Sequence, residues 1–243
     1  MLSALQHTSL HPNLLFDGQP CPFTDRLARM GVTVRFHRSS LADAIIASNP
    51  DDLAWQNIAL GAFLRMDIPQ IETECDYILY TDCDVLFVRD PNLSGMAPTY
   101  FSVAPEFTIN DYKNMNSGVM LMNLAGMRSV GEQLSQFIRL GLPNFQAFDQ
   151  GALREFFADR FDRLPERLNW KPYWGVNADA EIVHFHGPKP PHVRALLREV
   201  HPDLPQIYKD LFDMDRKNYS SLDTLWHSYL ERMVELHEKK PGV

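Results

Sequence analysis

Tyr77-Ile78-Leu79-Tyr80-Thr81-Asp82-Cys83-Asp84-Val85-Leu86-Phe87-Val88 is apolar on both sides of a pair of carboxylates. The run is bounded by Asp76 and by the turn pair Asp90-Pro91, and it predicts one buried strand interrupted near its end by two carboxylates. A carboxylate inside such a run is costly unless it is paired, and a divalent cation is the usual partner. Side chains alternate along an extended backbone, so Asp82 and Asp84 are expected on one side and Cys83 on the other. A chain of this length holds on the order of one Asp-x-Asp by chance. Asp213-Met214-Asp215 is such a triplet, set in a helical tail with no apolar strand before it. Asp82 and Asp84 differ from it by position, at the C-terminal end of a strand, where open α/β sheets bind their ligands.

The chain has 243 residues, 45% hydrophobic and 22% charged, which is the make-up of a soluble globular protein with one good core. A formal charge of −8 argues against a nucleic-acid partner. An anionic substrate would need local positive charge or a metal to offset that field. Cys21, Cys75 and Cys83 are odd in number and lack metal-type spacing, so no disulfide framework is expected. No apolar run approaches a membrane span, and the first residues lack the basic-then-apolar pattern of a signal peptide. These features predict a cytoplasmic protein without a transmembrane segment, with a peripheral membrane contact left open.

Read in order, residues 1–10 look like the end of a helix, 13–16 a short strand, 23–30 a helix stopped by Gly31, and 32–36 a β-branched strand. Residues 41–47 predict a short helix. Asn49-Pro50-Asp51-Asp52 opens another, with Trp55, Ile58, Ala59, Ala62 and Phe63 at helical spacing. Strands are expected at 99–104, 117–122 and 181–186, and helices at 131–140 and 148–158. Strands alternating with helices predict an α/β fold with an open, mostly parallel sheet flanked by helices. We divide the chain into a domain over 1–192 and a C-terminal helical tail over 193–243. The tail is broken at Pro202 and Pro205, and its Leu222, Leu225, Trp226, Tyr229 and Met233 form a packing stripe.

His184 and His186 are expected on one side of the last strand. A single histidine there is more often a core residue than a ligand. Here the pair runs into Gly187 and Lys189, able to offer a backbone amide and a cation to phosphate oxygens. An imidazole with two carboxylates and open positions suits Mn²⁺ or Mg²⁺ better than structural zinc.

Four motifs now stand in a characteristic order: Asp82-Cys83-Asp84 after an apolar strand, Asn116-Ser117-Gly118 opening another, Phe148-Asp149-Gln150, and His184-Phe185-His186-Gly187-Pro188-Lys189-Pro190. From Asn49 to Pro191 the sequence resembles the glycogenin and lipopolysaccharide galactosyltransferase-like family of retaining glycosyltransferases, family 8, with the GT-A fold. The resemblance implies that Asp82, Asp84 and His184 are metal ligands for Mn²⁺ or Mg²⁺. It implies that Gly187 and Lys189 contact the diphosphate, that Arg65 and Asn116 approach the nucleotide sugar, and that Asp149 and Gln150 form the catalytic pair beside it. Read from the residues alone, Arg65 would be a solvated helix arginine, Asn116 a strand-edge turn former and Asp149 a helix-start residue. Two departures stand out. Only Pro188 separates Gly187 from Lys189 where the family has two residues, and the chain starts one strand late, with the family's first strand missing.

The function implied is metal-dependent transfer of a hexose from a UDP-sugar to a hydroxyl acceptor, saccharide or other, with retention at the anomeric carbon. The alternative is a non-catalytic, N-terminally shortened member acting as a glycan- or nucleotide-binding partner protein. A metal-dependent phosphohydrolase fits the carboxylates but would call for a denser cluster of acids and histidines.

Overall fold

The computed structural model describes residues 1–200 and 203–238. It opens with α1 (Leu2–His7), followed by β1 (Asn13–Phe16), α2 (Pro22–Arg29) and β2 (Thr33–Phe36), with β1 and β2 paired in parallel. Pro22 sits in the first turn of α2, where its missing N–H goes unmissed. Gly31, at φ +93°, ends that helix in the left-handed region that glycine enters cheaply. After α3 (Ala42–Ser48), Asp52 caps α4 (Leu53–Phe63) by accepting from the Trp55 N–H at 2.9 Å. Helix α4 buries Gln56, Ala59 and Phe63, while Ile58, expected on the same stripe, is 57% exposed. One residue along a helix is about 100° around it, so Ile58 and Ala59 cannot share a narrow face. A 3₁₀ turn (Leu64–Asp67) and α5 (Ile68–Ile71) complete this segment.

Residues 77–88 are not one strand. β3 (Tyr77–Thr81) stops before Asp82, the chain bends through Asp82-Cys83-Asp84, and β4 (Val85–Phe87) begins in a different sheet. β4 is buried throughout, whereas β3 is only half-buried. β5 (Phe101–Pro105) and β6 (Met115–Asn123) pair antiparallel, since residues 106–114 are too few for a parallel crossover. β6 also pairs antiparallel with β3. Then come α6 (Leu124–Ser129), α7 (Gly131–Gly141), α8 (Phe148–Phe157), β7 (Asp162–Arg163, parallel to β5) and β8 (Ile182–His184, antiparallel to β4).

The α/β class therefore stands as expected, but the pairings are mixed where the alternation predicts a mostly parallel sheet. Alternation with helices holds for β1 and β2. It fails from β3 through β6, which follow one another without a helix between them.

The main core surrounds β6 and the helices on it: Phe63 of α4, Phe101 and Val103 of β5, Met120 and Met122 of β6, Ile138 of α7 and Phe157 of α8. A second cluster joins the tail to the strands. α9 (Pro190–Leu197), α10 (Gln206–Met214, entered at Pro205) and α11 (Arg216–Glu238) bring Val193, Leu211, Phe212 and Tyr219 against Leu86 and Phe185. The stripe of Leu222, Leu225, Trp226, Tyr229 and Met233 packs here as its spacing predicts. Trp226 lies edge-on to Phe185, centroids 5.4 Å apart, and so clamps the segment between His184 and His186. Pro202 lies outside the described residues. Among those described, no helix is long and apolar enough to cross a membrane.

Candidate metal and substrate site

Asp82, Asp84 and His184 each bring one ligand atom to a common point, all within 4.8 Å of one another. Strand alternation does not do this, because the triplet is a bend. The β4–β8 register does: Val85 stands opposite His184, and the Phe185 N–H donates to the Asp84 carbonyl at 2.9 Å, so the two side chains meet at the strand ends. Gly118 of β6 lies directly beneath. A Cβ there would fall 2.2 Å from His184 Cε1 and 3.0 Å from Asp82 Oδ2, so only glycine fits under the cluster.

The donor set suits a hard divalent cation. Asp84 Oδ1 is buried without a hydrogen-bond partner, and His184 Nε2 is 3.4 Å from it. Asp84 Oδ2 is held by the Lys189 ammonium, which also donates to the Phe185 carbonyl at 3.2 Å. Burial alone would raise the Asp84 carboxyl, but His184 and Lys189 beside it hold it well below the usual carboxylate range. Two carboxylates and one imidazole are a ligand set able to hold a divalent cation.

Arg65 is not a solvated helix arginine. It sits in the 3₁₀ turn after α4, 6% exposed, and its guanidinium meets four acceptors. Nη1 donates to the Ser117 carbonyl at 2.6 Å and Nη2 to Asp82 Oδ1 at 2.8 Å, while Nε donates to the Ala62 carbonyl at 3.2 Å and lies 3.1 Å from Asp149 Oδ2. Tyr80 stacks under it, 4.2 Å from ring centroid to Cζ, and donates its hydroxyl to Asp82 Oδ1 at 2.7 Å. Asp149, in the first turn of α8, also accepts from the Ser117 hydroxyl at 3.2 Å.

Burial pushes the Asp149 carboxyl up to about 6 from 3.8, against the pull of Arg65 and with the help of Asp82. A carboxyl raised on folding contributes stability that is fully present below its unfolded value and lost as pH rises through its folded one. Urea unfolding of the wild type relative to Asp149→Asn is therefore expected to show wild-type stability declining between about pH 4 and 6. A flat difference across that window would remove Asp149 from the titration.

Next to Asp149, Gln150 is held from both ends. Its Oε1 accepts from Asn116 Nδ2 at 3.1 Å and from the Ser117 N–H at 3.0 Å, and its Nε2 donates to Glu106 Oε1 at 3.0 Å. Asn116 is buried within β6, not exposed at its edge. His186 departs from His184: the chain turns, with the His186 N–H 2.7 Å from the His184 carbonyl. Its ring then meets Glu106 Oε1 at 3.3 Å and the Tyr173 hydroxyl at 2.9 Å. Burial lowers this imidazole to about 4, against the opposing pull of Glu106. Gly187 has φ +89°, a left-handed turn residue that releases Lys189 toward Asp84.

Four further residues were not read from the sequence. Glu106 follows the end of β5, the same strand-end position that singled out Asp82. Tyr80 sits two residues before Asp82, inside β3. Asn169, fully buried, hydrogen-bonds His184 Nδ1 at 2.9 Å. Lys171, also fully buried, donates to the Pro105 carbonyl at 2.6 Å and lies 4.5 Å over the Trp174 ring. Burial holds its amine well below the ordinary lysine range.

The class this fold defines is the GT-A-like α/β proteins, and solved glycosyltransferases match it. The galactosyltransferase LgtC, solved with donor and acceptor sugar analogs, has a TM-score of 0.60 and 18% identity, covering 91% of this chain and 87% of that one. The glycosyltransferase GlyE of Streptococcus pneumoniae TIGR4 has a TM-score of 0.58 and 18% identity over 93% of this chain. The chain spans 58% of the length of GlyE. The bifunctional glycosyltransferase WbbM has a TM-score of 0.52 and 15% identity. At these identities the likeness is one of fold. No family model matches the sequence, and no curated protein matches it.

Proposed function

We propose that the chain is a metal-dependent retaining glycosyltransferase of family 8, moving a hexose from a UDP-sugar to a hydroxyl acceptor. The observation that carries this reading is the convergence of Asp82, Asp84 and His184, with an orphaned Asp84 oxygen aimed into the cluster. These three residues would hold Mn²⁺ or Mg²⁺, which supplies Lewis-acid neutralisation of the charge growing on a departing diphosphate. LgtC, of like fold, is a galactosyltransferase that takes donor and acceptor sugar analogs, which supports nucleotide-sugar and saccharide partners here.

The chain's own residues divide the remaining work. Lys189 and the Gly187 amide stand at the diphosphate side, where a cation and an N–H stabilise anionic oxygens. Arg65 holds Asp82 and Asp149 in fixed orientations from behind, out of contact with solvent. Asp149 and Gln150 flank the sugar, with Asn116 bracing Gln150. Both lone pairs of the Gln150 oxygen are engaged by N–H groups, so this amide serves as a fixed hydrogen-bond post. Cys21, Cys75 and Cys83 are free thiols, in keeping with a reducing, cytoplasmic setting.

Incubating the wild type with a panel of nucleotide sugars is expected to release UDP only when Mn²⁺ or Mg²⁺ is present, with calorimetry showing that UDP binding needs the metal. Metal and UDP binding without turnover on any donor would point to the non-catalytic alternative. No metal binding at all would overturn the metal-dependent reading.

A further inference from the structure

We propose that Asn169 is a positioning residue that sets the tautomer of His184 and keeps its outward nitrogen free for a cation. It does so at the head of a one-way hydrogen-bond chain running from His184 through Asn169, Asn116 and Gln150 to Glu106. The inference rests on the metal reading above, but its geometry comes from backbone amides alone.

A backbone N–H can only donate, so each one identifies the atom it meets as an oxygen. The Gly118 N–H meets Asn116 Oδ1 at 3.3 Å, and the Ser117 N–H meets Gln150 Oε1 at 3.0 Å. Both side-chain amides are thereby oriented without appeal to convention. The Gln150 amide nitrogen then faces Glu106 Oε1 at 3.0 Å, and that of Asn116 faces Gln150 Oε1 at 3.1 Å. The group of Asn169 that approaches Asn116 Oδ1, at 2.9 Å, has to be its amide nitrogen. Its oxygen is left facing His184 Nδ1 at 2.9 Å, so that nitrogen carries the hydrogen. In the neutral ring the lone pair is then on Nε2, the atom 3.4 Å from the unpartnered Asp84 Oδ1.

The opposite tautomer would aim an N–H at Asp84, and the two ligands would bond each other in place of a cation. Asn169 stands against that closure. Among the described residues its side chain hydrogen-bonds neither carboxylate, and it lies between the 3₁₀ turn Glu166–Leu168 and the Trp170–Val183 bridge. Asn169, His184, Asn116 and Gln150 are all buried, so loss of one member leaves its neighbours short of a partner. A carboxylate suits the far end because Glu106, when ionised, only accepts.

The test is long-range ¹H–¹⁵N NMR of the His184 ring in the metal-free protein, assigned against His184→Gln, together with Mn²⁺ calorimetry. Wild type and Asn169→Asp, which keeps an acceptor at the same place, are expected to show Nδ1–H. Asn169→Leu is expected to switch His184 to Nε2–H and to weaken Mn²⁺ binding about 10–100-fold, the usual effect of losing a partner behind a metal ligand. An Nε2–H wild type, or an Asn169→Leu protein that keeps both its tautomer and its Mn²⁺ affinity, overturns the proposal. If Asn169→Leu fails to fold, the wild-type tautomer alone decides. A wild type that shows Nδ1–H and binds no Mn²⁺ defeats the metal reading and leaves the hydrogen-bond chain standing.

Discussion

Asp84→Ala is expected to abolish Mn²⁺-dependent UDP binding and to lower donor turnover by about 10³-fold. Loss of a metal that supplies several kcal/mol of charge stabilisation is a loss of that order. Asp84 is the member of the cluster with the most to lose. Its Oδ1 has no other partner among the described residues, its Oδ2 anchors Lys189, and both neighbours favour its ionised form. Removing it leaves Asp82 with its Oδ1 already taken by Arg65 and Tyr80. Asp213→Ala, in the tail's own Asp-Met-Asp, is the matched control. Asp213 is about half exposed and among the described residues pairs only with Arg216, and its loss is expected to change neither readout. Calorimetry and UDP release on the two variants check this directly, and wild-type affinity in Asp84→Ala would end the metal assignment.

Arg65→Met is expected to cost about 3–5 kcal/mol of folding stability, the toll of leaving buried charges without their partner. That is a large share of the 5–15 kcal/mol that holds an ordinary domain together. The guanidinium joins the turn after α4, the end of β3, the start of β6 and the first turn of α8, so four elements lose their common tie. Lysine cannot span those acceptors, and Arg65→Lys is expected to recover only part of the loss. Since burial raises the Asp149 carboxyl to about 6, the penalty is expected to be smaller at pH 5 than at pH 8. Urea unfolding at both pH values measures this. A methionine variant within about 0.5 kcal/mol of wild type would show that Arg65 is not the tie described.

Much of this site is legible in the sequence because its members sit where local signals are strong. Asp82 and Asp84 interrupt an apolar run, and Asn116-Ser117-Gly118 opens another. Gly187 marks a turn, and the stripe from Leu222 to Met233 follows the helical period. The structure brings every one of the nine expected site residues into one region, apart from any question of their roles. Glu106 obeys the same strand-end rule as Asp82 but stands alone, without a second acid to draw attention. Asn169 and Lys171 carry no local signal, since a buried polar side chain looks like any other polar residue until its partners are known.

Periodicity, capping and turn preferences act over a few residues, and they are enough to mark most of the strands and helices, the helical tail and the chemistry of the candidate ligands. It took long-range packing to make Asp82-Cys83-Asp84 a bend joining two sheets, to run β6 antiparallel to both its neighbours, and to bury Arg65. The same packing decided which way each amide between His184 and Glu106 points. Those outcomes depend on strand register and on hydrogen bonds between residues far apart in the chain, where a buried donor or acceptor must find a partner and only the folded backbone supplies one.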